Sequence, residues 1–488
     1  MPSRTPVESR STNGVPWRRL VPLLILVPLS TPAPARGQVV PGSEVVAPIV
    51  PPRRAVAIVH ATIHTMADST PSRDGTVVID GGRIVRVGPR GAVAIPAGAR
   101  VIDATGKHVI PGLWDMHVHT AVPGGEPLLG LYLANGVTGV RDMGGDFATI
   151  RQWRTRIRTG RLAGPRIVAS GPYLQGGPAA LPHFVVLTPA SARAAVDSLA
   201  ALGVDFIKVH ELVPRDAFFA LARAARERRL FLTGHPSAGV SVRDAADSGQ
   251  RSLEHLNGFL SRCSPSDSAR LAAAHEVQRL VLGECGTGDQ SPVYRHVASK
   301  ATWVTPTLVA LEMVAVLPGP QPADSLARYE PEFLRQAMAA ALEIPQDMPR
   351  DAHVVGGALL AKRLEVVGEL ARSGVPILAG TDAPLPNSIP GFGLHAELEA
   401  LVRAGLSPWR ALRAATAEPG RYFAADSVGT VCVGCVADFV VLDADPTQDI
   451  GNTRRISLVV SDGRVYSPAA RQALLNRALR AARAAPPR

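Results

Sequence analysis

Apolar positions along this chain follow two periods, and the change from one to the other divides it. Near each end the pattern is short and β-rich. Ala55–His60, Gly75–Ile79 and Arg83–Val87 come early, and Phe439–Leu442, Ser457–Val460 and Arg464–Tyr466 come late. Asp80-Gly81-Gly82 separates two of the early pieces with a hairpin-turn signal, and Asp462-Gly463 precedes the last late one. The simplest arrangement joins residues 55–108 and 421–468 into one small β-sandwich domain, with residues 109–420 inserted between its halves.

In that insert, apolar runs alternate with amphipathic stretches such as Ala190–Leu202 and Arg215–Arg228, the pattern of a parallel sheet. Eight strands are expected: Val109–His119, Gly136–Met143, Arg166–Gly171, Asp205–His210, Leu230–His235, Ser252–Leu256, Trp303–Val309 and Pro376–Asp382. Eight βα units predict an α/β fold built on a closed (β/α)8 TIM barrel, with its active site at the C-terminal strand ends. Residues 257–302 and 310–375 exceed a normal connection, so each is expected to add a helix or a lid over the mouth.

Composition changes this picture only at the termini. Hydrophobic residues at 46% and charged residues at 19% describe a globular chain of 488 residues. The formal net charge of +11 is concentrated in the ends, where residues 1–36 hold five Arg and one Glu, and residues 469–488 hold five Arg and no acid. A nearly balanced body removes the case for nucleic-acid binding. Trp17-Arg18-Arg19, the apolar Leu20–Pro28 and Ser30–Ala35 form a basic, apolar and small-residue series. That series predicts an export signal over residues 1–36, hence a periplasmic or secreted protein, with a linker over 37–54. The apolar part is too short to span a bilayer. Arg18-Arg19 also fits a twin-arginine route. The tail 469–488 is expected to be a solvated Arg-rich helix or a frayed end. In an oxidising compartment Cys263 and Cys285 are expected to pair, and the remaining cysteines form a Cys432-Val-Gly-Cys435 motif.

The candidate chemistry falls on the strand ends. His117 and His119 share one face of a strand, because side chains alternate, and two imidazoles side by side can chelate a metal. Strand four carries Lys208 and His210, strand five ends in His235, strand six carries Glu254-His255, and strand eight ends in Asp382. Four imidazoles and a carboxylate exceed one tetrahedral zinc and suit two metals with a bridging group. Only four lysines stand among 52 basic residues, so a lysine on an apolar strand points to chemistry that arginine cannot perform. A buried ammonium can lose its proton, and the neutral amine can take up carbon dioxide as a bridging carbamate. The alternative is a lysine whose stem packs and whose head meets a carboxylate.

Taken together, several segments resemble the metal-dependent amidohydrolase superfamily, and most closely its imidazolonepropionase-like and Xaa-Pro dipeptidase (prolidase) branch. They are Pro111–His119, Gly136–Met143, Gly380–Pro384, Gly393–Leu398 and Ala437–Leu442. The resemblance runs from about residue 55 to 466. It implies that His117, His119 and Asp382 hold one divalent ion, zinc first, and that His235 and His255 hold a second, with carboxylated Lys208 between them. It further implies a metal-bridging water as nucleophile and Asp382 as its proton shuttle. Imidazolonepropionases use one metal and lack the strand-four lysine, so Lys208 favours the two-metal, peptidase-like branch.

Where the family often has Thr-Gly-Gly-His-Gly, this chain has Gln175–His183, which leaves substrate recognition open. His183, Tyr173 and His210 are the candidate substrate contacts, against the plainer readings of a loop histidine and packing. Arg141 and Asp142 are expected to form an internal salt bridge. The expected reaction is hydrolysis of an amide C–N bond in a small substrate, such as an Xaa-Pro dipeptide or an N-acyl amino acid. Alternatives are a lactone, carbamate or cyclic amide at the same site, or an exported binding protein without catalysis. The sequence indicates no interface from which to read an oligomeric state.

Overall fold

The computed structural model describes residues 54–179, 181–237, 239–259, 290–310, 326–341, 352–385 and 388–483. The expected signal, nearly all of the linker, and Cys263 and Cys285 lie outside these residues. Among those described, no helix is long and apolar enough to cross a membrane.

Early and late strands share one sheet. β1 (Val56–Ile63) pairs antiparallel with β2 (Ser72–Asp80), which turns into β3 (Arg83–Pro89). Gly81 and Gly82 sit at φ 55° and 78°, a turn in which two consecutive left-handed residues match the strand twist. The other edge of β1 takes β4 (Arg100–Asp103) and then β5 (His108–Pro111), both parallel. The late strands β15 (Phe439–Leu442), β16 (Ile456–Ser461) and β17 (Arg464–Tyr466) extend the sheet from β5. The described strands of the two chain ends form one hydrogen-bonded sheet of eight. Ile58, Val77, Val109, Phe439 and Val460 pack together in its core.

The expected strand Val109–His119 divides at Gly112 into β5 and β6 (Leu113–Val118). Val109 and Ile110 serve the end sheet, whereas every residue of β6 is buried in a parallel sheet. Gly112 turns between them by donating its N–H to the Asp438 carbonyl at 2.9 Å. A Cβ there would lie 2.2 Å from Thr138 Oγ1, so the crossing requires glycine.

β6 pairs in parallel with β7 (Val137–Asp142), and β7 with β8 (Arg166–Ala169). A second parallel sheet contains β9 (Tyr173–Gln175), β10 (His183–Val185), β11 (Phe206–Val209), β12 (Phe231–Gly234), β13 (Gln250–Glu254) and β14 (Trp303–Thr305). The expected eighth strand is reduced to two parallel bridges, Val304–Ile377 and Val118–Ala383. β9 and β10 are additions to the expected strands; they bracket the divergent segment Gln175–His183 and pair with each other, and β9 meets β11 at its C-terminal end through Leu174 and Val209.

The amphipathic stretches form helices Pro189–Leu202 and Arg215–Glu227. Thr188 and Ser191 close a capping box on the first, and Gly203 ends it at φ 77°. The long connections contribute helices Ser291–Ser299, Glu332–Ala341 and Ala352–Arg372.

The basic tail is not a solvated end. It forms helix Pro468–Ala482, whose Leu475, Ala478 and Leu479 pack with Val122, Leu128, Leu131 and Tyr329. Arg471 donates from Nε to the Ala134 carbonyl at 2.8 Å and from Nη1 to that of Ile456. Its arginines therefore follow the amphipathic period of a packed helix. Cys432 and Cys435 are joined in a disulfide.

Candidate metal centre

β6 delivers His117 from its interior and His119 just beyond its end. The backbone of residues 376–383 runs alongside, with Asp382 N–H donating to the His117 carbonyl at 2.7 Å. Asp382 Oδ1 is 3.3 Å from His117 Nε2 and 3.3 Å from His119 Nε2. His255 enters from the end of β13 with its ring 4.4 Å from that of His117. His117, His255 and Asp382 each bring a ligand atom within 4.8 Å of the others. Asp382 and His255 both hold left-handed backbone, at φ 59°, a strain that is characteristic of functional sites.

Hydrogen bonds behind the rings fix which nitrogen faces the centre. His119 Nδ1 lies 2.9 Å from the Gly144 carbonyl, which can only accept, so Nδ1 carries the proton and Nε2 presents a lone pair. His117 Nδ1 lies 2.9 Å from Glu254 Oε2, which orients that ring in the same sense. Such outer partners raise the basicity of a ligating imidazole. Glu254 is held by Arg141 Nη2, at 3.0 and 2.9 Å, and by the Ser252 hydroxyl. The buried salt bridge expected for Arg141 is therefore made with Glu254, not with Asp142. Asp142 accepts from the backbone N–H of Thr120 at 2.7 Å and of Gly144 at 3.1 Å, because its strand position turns it towards those loops.

Lys208 and His235 complete the basin. Lys208 Nζ is buried 3.4 Å from His117 Nε2. Burial lowers its pKa even though Asp382 and Glu254 attract the charged form. The pKa values of His117 and His235 are held well below the ordinary imidazole range, first by burial and then by the Lys208 ammonium. Burial pushes the Asp382 carboxyl up, but the His255, His117 and His119 imidazoles outweigh it and keep it ionised. His235 is buried with neither ring nitrogen hydrogen-bonded. Glu211 Oε1 lies 3.1 Å from its Nδ1, without the alignment of a hydrogen bond.

A metal ion fits this donor set. The buried His235 ring, with neither nitrogen hydrogen-bonded, and imidazole lone pairs turned towards an ionised carboxylate are costly unless a cation completes them. Lys208 as an ammonium opposes the neighbouring imidazolium forms.

The candidate substrate contacts form a row of rings leading outward from His235. His210 lies 4.2 Å from it, Tyr173 5.3 Å from His210, and His183 5.9 Å from Tyr173. Gln175 Oε1 accepts from the N–H groups of Gly176 and Leu212, at 3.0 and 3.1 Å. Its amide nitrogen therefore donates to His210 Nδ1 at 2.9 Å, which leaves the His210 proton on Nε2. His183 is outermost, and its Nδ1 lies 2.9 Å from the Leu181 carbonyl.

Sequence reasoning did not assign roles to Glu254, Glu211, Gln175 or Thr307. Thr307 Oγ1 lies 2.7 Å from His255 Nδ1. Glu254 carried a readable signal, as an acid inside an apolar strand, with Arg141 likewise placed in an apolar strand to receive it. The others act from loops or strand ends, where no period assigns them a partner.

This geometry makes the protein an α/β chain with a candidate metal centre at its strand ends. The profile of the Amidohydrolase family matches residues 213–466, more than half of the chain, and the chain belongs to that family. Over 50 residues it is 50% identical to a dihydroorotase of Trichlorobacter lovleyi, covering 10% of this chain and 11% of that protein. Over 49 residues it is 47% identical to a 5-methylthioadenosine/S-adenosylhomocysteine deaminase of Symbiobacterium thermophilum, again covering 10% and 11%. The chain thus spans about a tenth of the length of these curated relatives. Among solved structures, a Bifidobacterium longum protein assigned as a prolidase is 25% identical with a TM-score of 0.65, covering 88% of this chain and 100% of that one. A Xaa-Pro dipeptidase with methionine bound in its active site is 20% identical with a TM-score of 0.63, covering 85% and 100%. A bottromycin amidohydrolase is 23% identical with a TM-score of 0.69, covering 88% and 91%. The last two establish the fold alone.

Proposed function

We propose that this protein is an exported, two-metal hydrolase that cleaves an amide C–N bond of a small substrate, with Xaa-Pro dipeptides and N-acyl amino acids as the leading classes. The observation that carries this reading is the convergence of His117 Nε2 and His119 Nε2 on Asp382 Oδ1, 3.3 Å from each. Family membership supports the hydrolase class, and the B. longum likeness supports the dipeptidase branch.

The fold that accompanies this reading is a closed (β/α)8 barrel. Its support is the run of backbone contacts that links the two parallel sheets. Asp205 N–H donates to the Ala169 carbonyl at 3.0 Å, Leu378 N–H to that of Val304 at 2.9 Å, and Met116 N–H to that of Ala379 at 2.9 Å. Side chains at the ends of such strands meet around one mouth.

His117, His119 and Asp382 would hold one ion, and His235 and His255 the other, with carboxylated Lys208 shared. The neutral Lys208 amine adds to carbon dioxide and releases one proton, giving a carbamate anion. Divalent ions bound there acidify water and polarise a carbonyl. Asp382 would take the proton from the attacking water and deliver it to the leaving nitrogen. His210, with its proton on Nε2, is a donor suited to a substrate carbonyl or carboxylate. Export rests on the Trp17–Ala35 series.

The test is hydrolysis measured in parallel on Xaa-Pro dipeptides, N-acyl amino acids, cyclic amides and lactones, for wild type and Asp382→Asn. Turnover of amides that is lost in the variant supports the reading. Turnover of lactones alone rejects the amide assignment, and unchanged turnover in the variant rejects the site.

A further inference from the structure

Away from the strand ends, a second group of ligating side chains lies in the sheet that joins the two ends of the chain. His64 follows β1, His108 opens β5, and Asp445 lies in the loop after β15. His64 Nε2 is 3.0 Å from His108 Nδ1 and 3.8 Å from Asp445 Oδ1. One ligand atom from each residue lies within 4.8 Å of the other two. The two rings are stacked, with centroids 5.3 Å apart. His64 is buried, whereas His108 and Asp445 are partly open to solvent.

Backbone contacts of the sheet hold the two histidines, and a local turn holds Asp445. His64 N–H donates to the Val109 carbonyl at 2.8 Å, and His108 is in register with Thr62 of β1 and Leu442 of β15. Asp445 Oδ1 is fixed by the backbone N–H and hydroxyl of Thr447, at 2.8 and 2.6 Å. The neighbouring charges cancel, since Lys107 Nζ pairs with Asp443 Oδ1. A carboxylate with two imidazoles therefore leaves one negative charge among donors already gathered. Ligands on a tetrahedral zinc, bonded at about 2.0–2.1 Å, stand only slightly farther apart than the two nitrogens here.

We propose that His64, His108 and Asp445 bind one divalent cation of the zinc class, which fastens β1 and β5 to the loop after β15. Two nitrogens and one oxygen suit zinc, cobalt, nickel or copper better than calcium or magnesium, which take oxygen ligands. A remaining position faces solvent and takes water. Because the three ligands come from the early and late parts of the chain, the ion closes the end sheet across the whole insert between them. It is separate in residues and in role from the strand-end centre.

The experiment equilibrates wild type, His108→Ala and Asp445→Ala with excess zinc, removes free metal, and measures zinc per chain by elemental analysis. Unfolding temperature is recorded with and without zinc. The expected result is one zinc fewer per chain in each variant, a smaller zinc-induced rise in unfolding temperature, and unchanged basal activity. The readout is a difference between proteins, so ions at the strand ends cancel from it. Equal zinc content in wild type and a folded variant overturns the proposal and leaves the His64–His108 contact as a hydrogen bond. If His108→Ala does not fold, as judged by circular dichroism, the partly exposed Asp445→Ala decides the matter by the same comparison.

Discussion

Glu254 Oε2 stands 2.9 Å from His117 Nδ1, and through that contact the most buried ligand of the centre is anchored to a charge pair. Arg141 neutralises the same carboxylate while its Nε donates to the Met116 carbonyl, one residue before His117. Strands β6, β7 and β13 are thereby locked around the imidazole.

Replacing Glu254 by Gln keeps the shape and removes the charge. Arg141 is then buried without a counter-charge, which costs about 3–5 kcal/mol of stability. Metal affinity falls by about 10–100-fold because the ring loses its orienting partner. Thermal unfolding and a metal-binding titration check both, and a variant unchanged in the two would refute this role.

On the proposed reading His210 meets substrate and not metal, since the Gln175 amide donates to its Nδ1 and leaves the proton on Nε2. His210→Ala is expected to raise KM by about 10-fold, with a smaller effect on kcat, as loss of a uniform binding contact does. Its metal content should equal that of wild type. Loss of metal in this variant would reassign the residue as a ligand.

His395 lies in helix Phe392–Arg403, with Nε2 3.1 Å from the Asn135 carbonyl and Nδ1 3.0 Å from Thr453 Oγ1. Burial, with Arg454 nearby, drops its pKa from 6.5 to about 3. A depressed pKa contributes stability that is present above 6.5 and is lost as pH falls towards 3, because the unfolded chain binds the proton first. Over that window the loss is on the order of 5 kcal/mol. Stability measured against pH in wild type and His395→Gln checks it, and the variant should show a shallower acid slope.

Arg471 connects the last helix to the body through two backbone carbonyls. Arg471→Ala should cost about 2 kcal/mol, from the two charged hydrogen bonds lost. Denaturant unfolding reads this directly. A change within about 0.5 kcal/mol, typical of exposed positions, would restore the view of a solvated tail.

Much of this arrangement is legible in the amino-acid pattern alone. The β6 residues Leu113–Val118 are mostly apolar because both their faces are buried, and that pattern also locates His117 and His119. The hairpins at Gly81-Gly82 and Asp462-Gly463 follow from residues that accept positive φ. Three features are hidden from it. Val109–His119 reads as one strand because both sheets need apolar residues, and only the Thr138 contact shows why Gly112 divides it. Leu475 and Leu479 are masked by the arginines around them, since composition does not show which helix face meets a partner. His64, His108 and Asp445 lie far apart in sequence, and only strand register brings them together.

The most direct test of the central claim is zinc titrated into chelator-stripped His108→Ala protein, with hydrolysis of Xaa-Pro and N-acyl substrates followed at each step. This background removes the peripheral site from the count. The account predicts no hydrolysis without metal and a rise that reaches its plateau at two ions per chain, with Lys208→Ala failing to reach it. Full activity in the stripped protein, or a plateau at a single ion unaffected by Lys208→Ala, would contradict it.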